Sequence, residues 1–186
     1  MRITCGTHGG RILQSPKDRS IRPTSDKVRL AMFNMLNARG LVDNAIILDG
    51  FCGTGALGLE ALSQGAASAI FMDKNKSSLD LARQNYAALS MDGGHFVLKD
   101  ATKPAARPEA IPEASLLFLD PPYAQGLLPP AMEGLSTGGW MTKDAHIVVE
   151  SEISVDPALL AQGGYEMMWM RDYGDTRVGL LRKVIS

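Results

Sequence analysis

An α/β fold with a doubly wound, mostly parallel seven-stranded sheet is what the 186-residue sequence predicts, preceded by a small N-terminal β-hairpin and helix. Three observations lead there. Short runs of consecutive apolar residues alternate with helix-length segments, the pattern of βαβ units with right-handed crossovers around a sheet buried on both faces. The first run opens into a glycine turn, Gly53-Thr54-Gly55-Ala56-Leu57-Gly58, that matches G-x-G-x-x-G before a helix. The runs also end on acids, Asp49, Asp73, Asp100 and Asp120, at the carboxyl ends of strands where such sheets place their ligand crevice.

The elements follow in order. Residues 2–13 hold two β-like pieces, RITC and RIL, around a His-Gly-Gly turn, which suits a hairpin. Residues 14–23 read as a loop. Thr24 or Ser25 can then cap a helix running to about Ala38, with Val28, Ala31, Met32 and Met35 on one face. AIILD is the first sheet strand, ALGLEALSQ a helix, SAIFMD the second strand and residues 77–89 the next helix. HFVLKD and SLLFLD are the third and fourth strands; helix 128–136 and strand HIVVES follow. Residues 165–171 and 176–184 read as a closing antiparallel pair, on which Met168, Trp169 and Met170 are expected to pack.

The length suits one domain with a real core, and 45% hydrophobic residues with a net charge of −1 argue against disorder. No apolar run approaches the ~20 residues a membrane helix needs. The opening MRITCGTHGG has no apolar h-region, so no secretory leader is expected. Two cysteines, Cys5 and Cys52, make neither a disulfide framework nor a metal cluster, so no metal is expected and a cytoplasmic setting fits. The near-neutral total hides an asymmetry. Residues 1–39 carry eight Lys/Arg against two acids, a balance of +6, and the remainder stands at −7. This divides the chain into a basic extension, 1–39, and a domain, 40–186. The extension is either a nucleic-acid contact or merely a solvated basic arm.

The glycine turn serves two cofactor classes. In both, glycines let the backbone approach the ligand, and an acid about twenty residues on accepts ribose hydroxyls, here Asp73. Asp49 separates them. Four residues before Gly53 it would repel a pyrophosphate, and it suits the cationic end of S-adenosylmethionine. Asp100 fits the exocyclic amine of adenine. S-adenosylmethionine is therefore the preferred cofactor over a dinucleotide. Cys52, in the same turn, reads as a small buried hydrophobe, and His8, His95 and His146 lack partners at catalytic spacing.

Asp120-Pro121-Pro122-Tyr123 is the candidate catalytic loop. An exocyclic amine on a base is a poor nucleophile because its lone pair is delocalised. A carboxylate and a backbone carbonyl accepting its two N–H bonds hold the nitrogen in line with a methyl group. Prolines fix that backbone and bring no competing N–H, and the Tyr123 ring can stack on the base. Catalysis would then be orientation plus electrostatics. The bland alternative is a turn, since Asp-Pro and Pro-Pro are common turn signals.

Together these residues resemble the RsmD-type 16S rRNA guanine-N2 methyltransferases, class I enzymes with a Rossmann-like fold. The resemblance covers nearly the whole chain. It rests on Gly9-Gly10-Arg11, on Arg22-Pro23-Thr24-Ser25-Asp26-Lys27-Val28-Arg29, on Leu48 to Ala61, on Phe118 to Tyr123 and on Tyr173-Gly174-Asp175-Thr176. Gly50, Cys52, Asp73 and Asn75 depart from the residues usual in the family. The resemblance implies methylation of guanine N2 at position 966 of small-subunit rRNA, with the subunit or an assembly intermediate as partner; the sequence shows no dimerisation signal, so a monomer is expected. The resemblance also implies that Asp49, Phe51, Gly53, Gly55, Asp73, Asp100 and Ala101 hold the cofactor and that Asp120, Pro121, Pro122 and Tyr123 do the chemistry. Arg11, Arg22, Thr24, Asp26 and Arg29 would face the RNA or order the arm that does, with Arg22 and Arg29 structural in the second case. Two other readings stay open: an adenine-N6 DNA methyltransferase sharing the tetrapeptide, and a non-enzymatic RNA-binding module on a methyltransferase fold.

Overall fold

The computed structural model describes residues 1–15, 25–122 and 126–184. The first helix, α1 (Asp26–Asn37), is capped by Ser25, whose side chain accepts the Val28 N–H. Then come β1 (Ile46–Asp49), α2 (Ala56–Ser63), β2 (Ser68–Asp73), α3 (Lys76–Leu89), β3 (Gly94–Leu98) and β4 (Ala114–Leu119). The chain continues with α4 (Leu128–Thr137), β5 (Met141–Glu152), α5 (Pro157–Leu160), β6 (Tyr165–Tyr173) and β7 (Thr176–Lys183). The sheet has seven strands in the order β3-β2-β1-β4-β5-β7-β6. The first five are parallel, and β7 lies antiparallel between β5 and β6.

The strand order reverses between β1 and β4. From β1 the chain winds outward through β2 to β3, then returns to β4 on the other side. This is the switch point at which the carboxyl ends part and leave a crevice. The two faces have separate cores. Phe33, Leu57, Leu59, Phe71, Leu79, Phe118 and Val148 lie together under α1, α2 and α3. Leu48, Ile70, Leu117, Leu135, Trp140, Ile147 and Val149 lie together under α4 and α5. Ile3 and Leu13 of the N-terminal extension are buried in the first core. Packing of α2 on β2 is close: a Cβ on Gly58 would stand 2.5 Å from the Phe71 ring. No helix among the described residues is long and apolar enough to cross a membrane.

The structure corrects several expectations. The N-terminal hairpin shrinks to one antiparallel bridge, Arg2 with Ile12, closed by Ile3 N–H to the Arg11 carbonyl at 2.9 Å. The loop read at 14–23 lies largely outside the described residues. The inward face of α1 is Arg29, Met32, Phe33, Met35 and Leu36, so it is rotated from the Val28–Ala31 side. Arg29 is buried on that face. β5 starts at Met141, ahead of the apolar run, because Met141 pairs with Ala114 across a bulge before Leu116 takes His146. The single turn α5, capped by the Asp156 side chain, is too short to show a period. Of the Met168-Trp169-Met170 group only Trp169 packs on the core; both methionines are exposed, since β6 is the sheet edge.

Candidate active site

Strand register brings the sequence-marked acids to one edge. Asp49 ends β1 and is level with Phe71 of β2 and Phe118 of β4. Asp73 and Asp120 each lie two residues further along, so they flank β1 from either side, about 6–7 Å beyond the level of Asp49. Asp100 lies two residues past Leu98, the β3 partner of Asp73. The acids therefore line the carboxyl edge of four adjacent strands, β3-β2-β1-β4.

The glycine loop is built on two of them. The Asp49 carboxylate accepts the Gly58 N–H of α2 at 3.1 Å. Asp73 accepts the Gly53 N–H at 3.0 Å and the Asn75 N–H at 2.8 Å, so it ties the loop after β1 to the loop after β2. Each carboxylate oxygen keeps a second lone pair for a ligand hydroxyl. Gly55, at φ 79°, turns the chain into α2, and a Cβ there would press on Ala82 at 3.1 Å. The Cβ position of Gly53 meets nothing nearer than the Phe51 carbonyl at 3.9 Å, so ligand can approach the backbone there. Phe51 is half-buried and Ala101 buried at the same edge.

Electrostatics single out Asp49. Burial pushes its carboxyl up to about 7; the Gly58 N–H works against this and the charge of Asp73 adds to it. Such a carboxylate favours a cation beside it. Burial, then the charges of Asp49 and Asp73, push the Cys52 thiol well up, which excludes it as a nucleophile near neutral pH. Asp100 is held down by hydrogen bonds from the Thr102 hydroxyl and backbone N–H, with help from Lys74 and Lys103. Past β4, Asp120 is half-buried, Pro121 is buried and Pro122 is exposed. Tyr123 lies outside the described residues.

The N-terminal extension is bolted to this site through residues that the sequence did not single out. Glu60 of α2 is fully buried. It accepts the Thr4 N–H and hydroxyl, both at 2.8 Å, the Cys5 N–H at 3.0 Å, the Arg29 Nε–H at 3.2 Å and the Gln64 amide at 2.6 Å. Ser63, one turn on, donates to the Cys5 carbonyl at 2.7 Å. Gly6 passes so near that a Cβ would fall 1.8 Å from the Ser63 carbonyl oxygen. Asn85 of α3, 1% exposed, accepts the Gln14 N–H at 2.8 Å and donates to the Gln14 and Thr54 carbonyls at 3.1 and 2.9 Å. One carboxamide thus joins the extension to the glycine loop. The sequence signal for Glu60 is a lone acid inside the otherwise apolar helix ALGLEALS.

Arg29 therefore does not face RNA. Its side chain is 1% exposed, paired with Glu60 and, at 2.8 Å, with Asp26, and it also donates to the Arg2 carbonyl. Of the two roles open to it, the structural one holds. Asp26 stands at the rim between Arg29 and Arg2. Partial burial raises its carboxyl, but the charge and hydrogen bond of Arg29, with the hydrogen bonds of Arg2, hold it below the usual range. Arg11 is exposed and donates to the Ala88 carbonyl at 3.2 Å. Arg22 and Thr24 lie outside the described residues.

With this geometry in hand, the chain can be set beside known proteins. A family model described as conserved hypothetical protein 95 matches residues 1–182. The Escherichia coli K12 protein named ribosomal RNA small subunit methyltransferase D is 39% identical over 153 residues, 82% of this chain and 75% of that one. YlbH of Bacillus subtilis, provisionally named an rRNA methyltransferase, is 31% identical over 186 residues, 98% of this chain and 99% of its own. Among solved structures, Escherichia coli yhhF, provisionally described as a methyltransferase, superposes with a TM-score of 0.82 at 29% identity, covering 100% of this chain and 99% of its own.

Proposed function

The chain belongs to the conserved hypothetical protein 95 family, the RsmD-type S-adenosylmethionine-dependent methyltransferases, and on that premise we propose that it methylates the exocyclic N2 amine of one guanine, of the position-966 type, in 16S rRNA. The observation that carries the reading is the carboxyl edge of β3-β2-β1-β4, where a buried, cation-seeking Asp49 and the Asp73-braced glycine loop stand beside Asp120-Pro121-Pro122. The residues present fit the cofactor. Asp49 would face its cationic end, Gly53 and Gly55 its approach, Asp73 the ribose, and Asp100 with Ala101 the adenine; Phe51 would line the cleft. Bound there, the cofactor supplies an electrophilic methyl group on a sulfonium.

The protein's own work is orientation. Asp120 and the Pro121 carbonyl accept the two N–H bonds of N2 and turn its lone pair toward the methyl. Pro122 stiffens the loop and Tyr123 stacks on the base. The amine becomes acidic only as the new bond forms, so Asp120 need not take a proton beforehand. Arg11, Arg22 and Thr24 would meet RNA, whose affinity comes chiefly from phosphate neutralisation, and Asp26 and Arg29 order the arm. The target base must leave its stack to reach the pocket. The setting proposed is cytoplasmic, with a monomer acting on the small subunit or an assembly intermediate.

Labelled methyl transfer to undermethylated small subunits, naked rRNA and DNA, followed by nucleoside analysis, tests the reading. The expected product is N2-methylguanosine at one site. N6-methyladenine as the sole product would overturn it in favour of a DNA-type activity, and no transfer to any substrate would favour a binding module.

The charge state of Asp49 gives a second expected result. Its carboxyl is raised from 3.8 to about 7 in the ligand-free fold. Its contribution to stability is thus full below about pH 4 and is lost as pH rises through 7. A cation draws off that proton, so cofactor affinity should tighten by about tenfold per pH unit up to pH 7 and then level. Calorimetry from pH 5.5 to 8 in buffers of different ionisation enthalpy should show proton release that Asp49→Asn abolishes. Release that persists in that variant would remove Asp49 from the role.

A further inference from the structure

A loop that grips an exocyclic amine does not by itself choose the base, since adenine N6 offers the same two N–H bonds. We propose that Glu150 makes that choice, accepting the N1–H of guanine next to the N2 amine held by Asp120. The assignment rests on the guanine-N2 reading above and names how the same site recognises its base.

The sheet sets the two carboxylates side by side. β4 and β5 run parallel, with Phe118 opposite Val148 and Leu119 opposite Val149. Glu150 is the next residue of β5 and Asp120 the residue just past the end of β4, so the register, carried one residue on, sets them at one level about 4.8 Å apart. They also share a face. Phe118 and Val148 pack under α1–α3 and Leu119 and Val149 under α4 and α5. Side chains alternate along a strand, so Asp120 and Glu150 fall on the α1–α3 side. Asp49 meets α2 on that same side. Glu150 is only 5% exposed, at the open end of a strand where an acid would ordinarily reach water. It also has an interaction of its own within the protein.

The chemistry follows from the base edges. Guanine carries adjacent donors, N1–H and N2–H, which two neighbouring carboxylates can accept. Adenine carries a bare N1 lone pair, which a buried carboxylate repels. Sites built to hydrogen-bond a substrate group reject an analogue lacking it by factors of about 10⁴ to 10⁵, because the buried group is left unpaired. Glu150 is a specificity residue in this scheme and takes no proton.

The test uses 2-aminopurine, which keeps the 2-amine and bares N1. Small subunits are reconstituted from rRNA carrying guanine or 2-aminopurine at the acceptor position. The wild type should prefer guanine by about 100-fold or more in kcat/KM. Glu150→Gln, whose amide can donate to a bare N1 or accept N1–H, should bring the ratio within about tenfold while cofactor Kd stays near wild type. A ratio unchanged in Glu150→Gln overturns the assignment. So does a wild-type preference below about tenfold, which decides the matter without any variant should Glu150→Gln fold poorly. In either case methylation of guanine N2 by the wild type would still stand; if the wild type makes no N2-methylguanosine at all, it is the reading of the reaction that fails.

Discussion

Asp120→Ala should abolish methyl transfer, lowering kcat by at least about 10³-fold, while S-adenosylmethionine binds within a few-fold of wild type. The reason is where the residue stands. Asp120 follows β4, two residues beyond the level of Asp49, on the far side of β1 from Asp73. The glycine loop hangs on Asp73 and Asp49 through the Gly53 and Gly58 N–H groups, so removing Asp120 leaves the proposed supports of the cofactor in place. What is lost is the acceptor proposed to aim the amine, and oriented acceptors of this kind contribute roughly 10²–10³ each before positional losses are added. Single-turnover transfer and cofactor calorimetry on the same preparation separate the two effects. Asp120→Asn, with an oxygen but no charge, should fall between. Normal turnover in Asp120→Ala would sink the catalytic assignment.

Glu60→Ala should be the most destabilising single change in the N-terminal half. Five donors converge on that fully buried carboxylate, two of them from Arg29 and Gln64 and the rest from Thr4 and Cys5. Its removal takes from the buried Arg29 guanidinium its buried charge partner and leaves it paired with the rim acid Asp26. Breaking a buried pair by deleting one member costs about 3–5 kcal/mol. In a chain of this size that lowers Tm by roughly 6–20 °C. Replacing both members with apolar residues, Glu60→Leu with Arg29→Met, should recover part of the loss, since a well-packed apolar pair removes the stranded charge. A thermal double-mutant cycle measures this. Additive losses in the double variant would show that the pair is not coupled.

Much of the fold was legible because a doubly wound sheet writes itself as runs of apolar residues. SAIFMD coincides with β2, β1 lacks only the first residue of its run, and β4 is shifted by one residue at each end. The acids of the site were legible for the same reason, since each follows a run that could only be a strand. Other features depended on distant partners. For Arg29 an RNA-facing and a structural role stood open, and nothing local named its buried partner, Glu60, 31 positions away. Asn85 looked like any polar helix residue, yet its partners stand 31 and 71 positions off. Glu150 sat inside HIVVES as an ordinary strand-end acid, and only the register of β5 against β4 placed it beside Asp120. Burial of a polar group is a property of its neighbours, and a linear pattern does not carry it.

The anchorage of the extension also bears on how the chain is made. Residues 1–15 are made well before what holds them: Glu60 lies 56 positions after Thr4, Asn85 71 after Gln14, and Ala88 77 after Arg11. At synthesis rates of about 5–20 residues per second, Gln14 waits roughly 4–14 s for Asn85. Until then Asp26, which pairs with Arg2 and Arg29, is the described acid within the basic extension that can hold it. Residues 1–15 are thus synthesised ahead of the buried groups that fix them, and their place in the fold is settled only once α2 and α3 are complete.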